Sequence, residues 1–261
     1  MKVYISTDLE GVSGVTVWDQ TREMTTALYQ HARHLLTREV NAAVAGCLAG
    51  GADEVVVMDG HAGGFNFVPD ELHPGATYVT GPGRPGVLCG LDESFDAAML
   101  LGYHAMAGTP NAVLAHTQSS KRGDRYWYNG RESGEIAQSA LVCGHYDVPV
   151  VMVTGDEAAC VEARAFLGEE IVAVSVKKGF SINSCQMVPP QRAWEMVRAG
   201  AADAIKRVAQ CKPYKLDLPI HARLRFPTRE IADAAGCPFS KRVDDLTYER
   251  TIESPLDVVR F

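Results

Sequence analysis

Residues 50–61 read Gly50-Gly51-Ala52-Asp53-Glu54-Val55-Val56-Val57-Met58-Asp59-Gly60-His61. The paired glycines stop a helix, and the apolar run Val55–Met58 is a short buried strand. Upstream, Thr25 to Gly50 carries Leu28, Ala32, Leu35, Leu36, Val40 and Val44 near a 3.6-residue period, which predicts that helix. Before it, Val3-Tyr4-Ile5 predicts another strand. Strand, long helix and strand in that order form a crossover unit, and a crossover implies parallel strands.

The alternation continues along the chain. Thr77–Thr80, Ala98–Leu101, Ala112–Ala115, Pro149–Val153 and Ile171–Val176 read as strands, and Asp156–Leu167 as a helix. Tyr126–Tyr128 reads as extended and ends at the turn signal Asn129-Gly130; Ser133 is placed to cap a helix running to about His145. Residues 1–180 therefore predict a catalytic α/β domain, a three-layer fold around a mostly parallel sheet. Beyond 180 the texture changes. Pro189-Pro190 opens a helix ending near Cys211, the proline-bearing run Pro219–Phe226 suits an edge strand, Thr228–Ala235 reads helical and Asp245–Ser254 extended. Residues 181–261 are expected to be a smaller α+β portion packed on the first.

A chain of 261 residues has room for one large α/β domain, or one domain and a smaller one. Hydrophobic residues at 46% and charged residues at 22% describe an ordinary globular protein. The net charge of -7 argues against general affinity for nucleic acid or anionic membrane. No run approaches the roughly 18 apolar residues that span a bilayer. Met1-Lys2-Val3-Tyr4 enters a strand at once, so no secretory signal is expected, and the expected location is cytoplasmic. The seven cysteines are odd in number and form no Cys-x-x-Cys pair, which suits reduced thiols better than disulfides or a thiolate zinc site.

Four of the apolar runs end in residues able to bind a metal ion. Val3–Ile5 leads to Asp8 and Glu10, Val55–Met58 to Asp59 and His61, Met99–Leu101 to His104, and Ala112–Leu114 to His116. Ligands of open α/β sheets bind past the carboxyl ends of strands. The Asp8 and Glu10 carboxylates with three imidazoles at one sheet edge suit a catalytic zinc site, including a two-metal site. Singly each has a bland reading: Asp8 and Glu10 as a solvated acidic turn, and each histidine as structural. Placement at equivalent strand ends is what favours function. Asp59 can orient a histidine or cap its turn. Glu135 and Glu132, three residues apart near a helix start, are indistinguishable by composition.

Ser6-Thr7-Asp8-Leu9-Glu10-Gly11-Val12-Ser13-Gly14, Asp59-Gly60-His61, Leu101-Gly102-Tyr103-His104-Ala105, Ala115-His116-Thr117, and Asn129-Gly130 followed by Gly134-Glu135 occur in that order. With Asp147–Asp156 they resemble the DppA-type zinc-dependent D-aminopeptidases, metallopeptidases of the dipeptide-transport-protein family. The resemblance implies two zinc ions per chain. Asp8 bridges them, Glu10 and His61 complete one site, His104 and Glu135 the other, and His116 is the catalytic residue beside the metals. It implies hydrolysis of short peptides or amides with an N-terminal D-amino acid. It also implies a self-compartmentalising homo-oligomer, a decamer. At this point the same ligands equally suit another two-metal amidase or deacetylase. A non-catalytic peptide-binding protein is the alternative of a different class, and a structural metal site in an assembly protein is a third.

Overall fold

The computed structural model describes residues 1–261. Along the chain run β1 Lys2–Thr7, α1 Ala27–Gly50, β2 Glu54–Asp59, β3 Thr77–Val79, β4 Ala97–Tyr103, β5 Arg125–Tyr128 and β6 Arg131–Ser133. Then come α2 Glu135–His145, β7 Val150–Asp156, α3 Glu157–Leu167, β8 Val172–Ser181, β9 Ser184–Met187 and α4 Pro190–Lys206. The chain finishes with β10 Ile220–Arg225, α5 Arg229–Ala235, β11 Lys241–Arg242 and β12 Thr247–Ile252.

The order β3-β2-β1-β4-β7-β8-β9 makes a seven-stranded sheet, parallel except for β9. From β1 the chain crosses through α1 to β2 on one side. From β4 it crosses through α2 to β7 on the other. Right-handed crossovers in opposite directions place their helices on opposite faces. α4 packs along α1, and α3 packs beside α2. Every residue of β4 and β7 is buried, which is why these strands are continuous apolar runs rather than alternating ones. α1 starts where Thr26 Oγ1 accepts from Tyr29 N at 3.0 Å. It ends at Gly51, whose φ of 105° suits glycine.

A second sheet, ordered β11-β12-β10-β5-β6, is antiparallel throughout. The boundary expected at 180 falls in the β8–β9 hairpin. β9 and α4 belong with the parallel sheet, while the second sheet joins β5 and β6 to the C-terminal strands. No helix is long and apolar enough to cross a membrane, and all seven thiols are free.

Three local expectations are corrected. Ala112–Ala115 is not a strand: Asn111 and Leu114 both have φ of 53°, outside the extended region. The run is buried for packing, but its backbone is satisfied by single partners. Val113 N donates to Asp156 Oδ2 at 2.7 Å and Leu114 N to Ile182 O at 2.8 Å. Ser133 does not cap α2; it pairs with Tyr126 in the second sheet, and Gly134 is the N-cap. Pro219–Phe226 is not an edge strand, since β10 lies between β12 and β5. Pro219 precedes the first ladder residue, so its missing N–H removes no sheet bond.

Candidate metal centre

β1 and β4 adjoin where the strand order reverses, the place where open α/β sheets collect ligands. Asp8 follows β1 and His104 follows β4, so neighbouring strands present them side by side. Glu10 lies in the turn after β1, and His61 lies two residues past β2. His116 arrives on the loop that the sequence suggested was a strand. Glu135 is the first residue of α2.

These six side chains converge. His61 Nδ1 lies 2.9 Å from Asp8 Oδ1 and 3.1 Å from Glu10 Oε2. His104 Nε2 lies 3.2 Å from Asp8 Oδ2 and 3.6 Å from Glu135 Oε1. His116 Nε2 lies 3.8 Å from the same Glu135 oxygen, and its ring stacks on His104 with centroids 4.0 Å apart. One donor atom each from Asp8, Glu10 and His104 falls within 4.8 Å of the others, and so does a second set from His104, His116 and Glu135.

Backbone carbonyls orient all three imidazoles. His61 Nε2 donates to Thr21 O at 2.8 Å, His104 Nδ1 to Ala105 O at 3.0 Å, and His116 Nδ1 to Leu114 O at 2.8 Å. A carbonyl only accepts, so the ring nitrogen facing it carries a proton. The opposite nitrogen of each ring is thereby turned toward the carboxylates, the arrangement by which proteins orient metal-binding histidines.

Burial opposes ionisation of Asp8, but the imidazoles of His104 and His61 close beside it outweigh that and hold the carboxyl well below its usual range. Burial likewise disfavours charge on His61 and His104, yet the neighbouring carboxylates win. Glu10 and Asp8 keep His61 well above its ordinary value, and Glu135 and Asp8 push His104 up to about 10. His116 goes the other way, lowered by burial and by the charge of His104. Without a metal the cluster therefore holds protons in place of cations. A metal ion must displace them, so its affinity falls as pH falls.

The donor set fits zinc. It consists of carboxylate oxygens and imidazole nitrogens, all of them borderline or hard ligands. Glu10 Oε2 and His104 Nε2 are buried without any hydrogen bond, and buried polar atoms seldom lack a partner. Both orphans face the cluster, where a cation would satisfy them.

Asp59 caps the turn and does not orient a ring: its oxygens accept from Asn66 N at 2.6 Å and Asn66 Nδ2 at 2.8 Å. Asn66 Nδ2 also donates to His61 O at 2.8 Å, which ties the loop behind the histidine. Sequence reasoning missed the segment 17–22. Its Thr21 carbonyl holds His61, and Trp18 packs edge-on against His116 with centroids 5.7 Å apart. Arg22 lies over the Trp18 ring at 3.7 Å and donates through Nε to Ser120 Oγ at 3.0 Å. No residue type in that segment signals chemistry, because a carbonyl is available on every residue. A cleft of about 1430 Å³ opens over Asp8, Glu10, His61, His116 and Glu135.

The D-aminopeptidase family Peptidase M55 matches this chain over residues 1–261. The chain belongs to that family. A D-aminopeptidase from Bacillus subtilis (strain 168) is 35% identical over 218 residues, covering 82% of this chain and 77% of that protein. Among solved structures, the zinc-dependent D-aminopeptidase DppA from Bacillus subtilis, a self-compartmentalizing protease, superimposes with a TM-score of 0.93. It is 30% identical, and the match covers 99% of this chain and 94% of that one. As an M55 member the chain is a D-aminopeptidase, a peptide-bond hydrolase. The non-catalytic peptide-binding reading and the structural-metal reading fall with that membership.

Proposed function

We propose that this D-aminopeptidase is a dinuclear zinc enzyme in which Asp8 bridges two ions. Glu10 and His61 complete one site, His104 and Glu135 the other, and His116 is the catalytic residue. The observation that carries this reading is the division of Asp8: Oδ1 faces His61 Nδ1 at 2.9 Å, and Oδ2 faces His104 Nε2 at 3.2 Å. One carboxylate thus addresses two imidazoles, each already locked by a carbonyl behind it.

Zinc bound there supplies Lewis-acid activation of the scissile carbonyl and of water. The chain's own residues supply the rest. Asp8, Glu10 and Glu135 offset most of the positive charge, and the slight excess left suits the negative charge that develops on the carbonyl oxygen. Neutral His116 receives a proton at Nε2 from the attacking water and passes it to the departing amine. Its Nδ1–H bond to Leu114 O keeps Nε2 pointed into the cleft. The substrates are short peptides or amides with an N-terminal D-residue. The working form is a cytoplasmic homo-oligomer, a decamer by resemblance.

The test is metal analysis of the purified wild type together with hydrolysis of a D-Ala and L-Ala amide panel. Two zinc ions per chain, faster cleavage of the D-amides and elution far above the monomer mass are expected. A single ion per fully active chain would overturn the dinuclear reading.

A sharper test separates Glu135 from Glu132. Glu132 lies on β6, where Arg125 Nη2 donates to its Oε2 at 2.8 Å, away from the cluster. Glu135 Oε1 faces both His104 and His116. Glu135→Gln is expected to lower occupancy of one zinc and abolish turnover, while Glu132→Gln leaves both near wild type. Zinc content and rate for the two variants decide it, and the reverse pattern would remove Glu135 from the centre.

A further inference from the structure

Lys177 lies on β8 and is only 2% exposed. Its ammonium donates to three backbone carbonyls: Glu10 O at 2.5 Å, Val12 O at 2.9 Å and Val15 O at 2.5 Å. An ammonium has three donors, so its hydrogen-bonding capacity is filled by this one turn. No carboxylate lies within ion-pair distance of it. Burial costs the ammonium its water, and the three carbonyls, with Asp156, Glu39 and Glu10 acting from beyond ion-pair distance, offset that cost.

What it holds is the turn after Glu10. On its other side that turn is wedged against β4: Gly11 N donates to Gly102 O at 2.7 Å, and a Cβ at Gly11 would lie 2.0 Å from Tyr103 O. Ser13 N donates to the buried carboxyl of Glu39 at 3.3 Å. Glu10 itself has little to aim it. Its Oε2 accepts no hydrogen bond, and its nearest charged neighbour is His61. Apart from His61, the Glu10 carboxylate is therefore aimed through its backbone, and the Glu10 carbonyl is one of the three that Lys177 grips.

We propose that Lys177 is a positioning residue for the Glu10–His61 half of the metal centre, a three-way ammonium clamp on the turn that aims Glu10. This rests on the dinuclear reading given above. The clamp touches neither His104 nor Glu135, so its loss should weaken one half and spare the other.

The experiment is a zinc titration by chelator competition on wild type, Lys177→Met, Lys177→Gln and Val197→Ala. Val197→Ala is a control that opens a cavity beneath α4, an element that contributes no side chain to the metal centre, and lowers thermal stability. Wild type must first bind two ions per chain; if it does not, the dinuclear reading fails, whatever Lys177 does. Given two ions, Lys177→Met is expected to bind one of them about 10–100-fold more weakly and the other unchanged. Lys177→Gln, which keeps a donor for the turn, is expected to fall between. Val197→Ala is expected to bind both normally despite its lower Tm. Unchanged affinity at both sites in Lys177→Met, equal weakening of both, or the same weakening in Val197→Ala would each overturn the proposal. So would failure of both Lys177 variants to fold, which would make the residue a support of the core alone.

Discussion

Asp8→Ala is expected to lose both zinc ions together and to fall to background hydrolysis. Each oxygen of this carboxylate faces a ring nitrogen of a different histidine, so on the proposed reading its removal strips an anionic ligand from both halves at once. It also leaves His61 and His104 with only Glu10 and Glu135 of the three carboxylates beside them. Two cations held close together repel, and a bridging carboxylate would offset the repulsion. Glu10→Ala, by contrast, is expected to weaken mainly one ion, because Glu10 Oε2 makes its ion-pair contact with His61 at 3.1 Å, whereas His104 makes its own with Asp8 and Glu135. Zinc stoichiometry by mass spectrometry on the two variants checks the contrast. Retention of a full complement of zinc by Asp8→Ala would refute the bridge.

His116→Ala is expected to keep both zinc ions and to lose turnover by roughly 10²–10⁴-fold, the usual contribution of a positioned acid–base group. The side chain sits at the cleft, 3.8 Å from Glu135 and stacked on His104. It is also the one imidazole of the cluster whose affinity for a proton is lowered by its surroundings. A neutral ring is what a proton acceptor requires. The stacking puts His116 close enough to serve as a metal ligand instead, and measurement separates the two roles. A catalytic His116 leaves zinc content untouched while the rate collapses. Loss of one ion in His116→Ala would make it a ligand, and near-normal rate would remove it from the chemistry.

The legible part of this protein was carried by periodicity and by residue type. The long apolar stripe of α1, stopped at Gly51, and the runs of β1, β2, β4 and β7 announce a parallel α/β sheet, since strands buried on both faces leave continuous apolar signatures. Asp8, Glu10, His61 and His104 stand out because they follow such runs, and strand ends at a sheet's switch point are where ligands gather. His116 is a candidate for a partly mistaken reason: its loop is not a strand, but an apolar run buried in a loop looks the same in sequence. The choice of Glu135 over Glu132 came from resemblance, since two acids near a helix start differ only in what the second sheet does with Ser133.

By itself, then, the chain's pattern determined the parallel sheet, the helices that cover it, and the inventory of acids and imidazoles at its edge. These are properties of local periodicity and side-chain chemistry. Only the tertiary structure decided which sheet the later strands join, why β10 is interior, and how the metal-facing nitrogens are chosen. Those outcomes depend on pairings between residues far apart in sequence. The Thr21 carbonyl behind His61 and the Lys177 ammonium gripping the Glu10 turn are examples. A backbone carbonyl has no signature in a sequence, and a lysine reads as a surface residue until the fold closes around it.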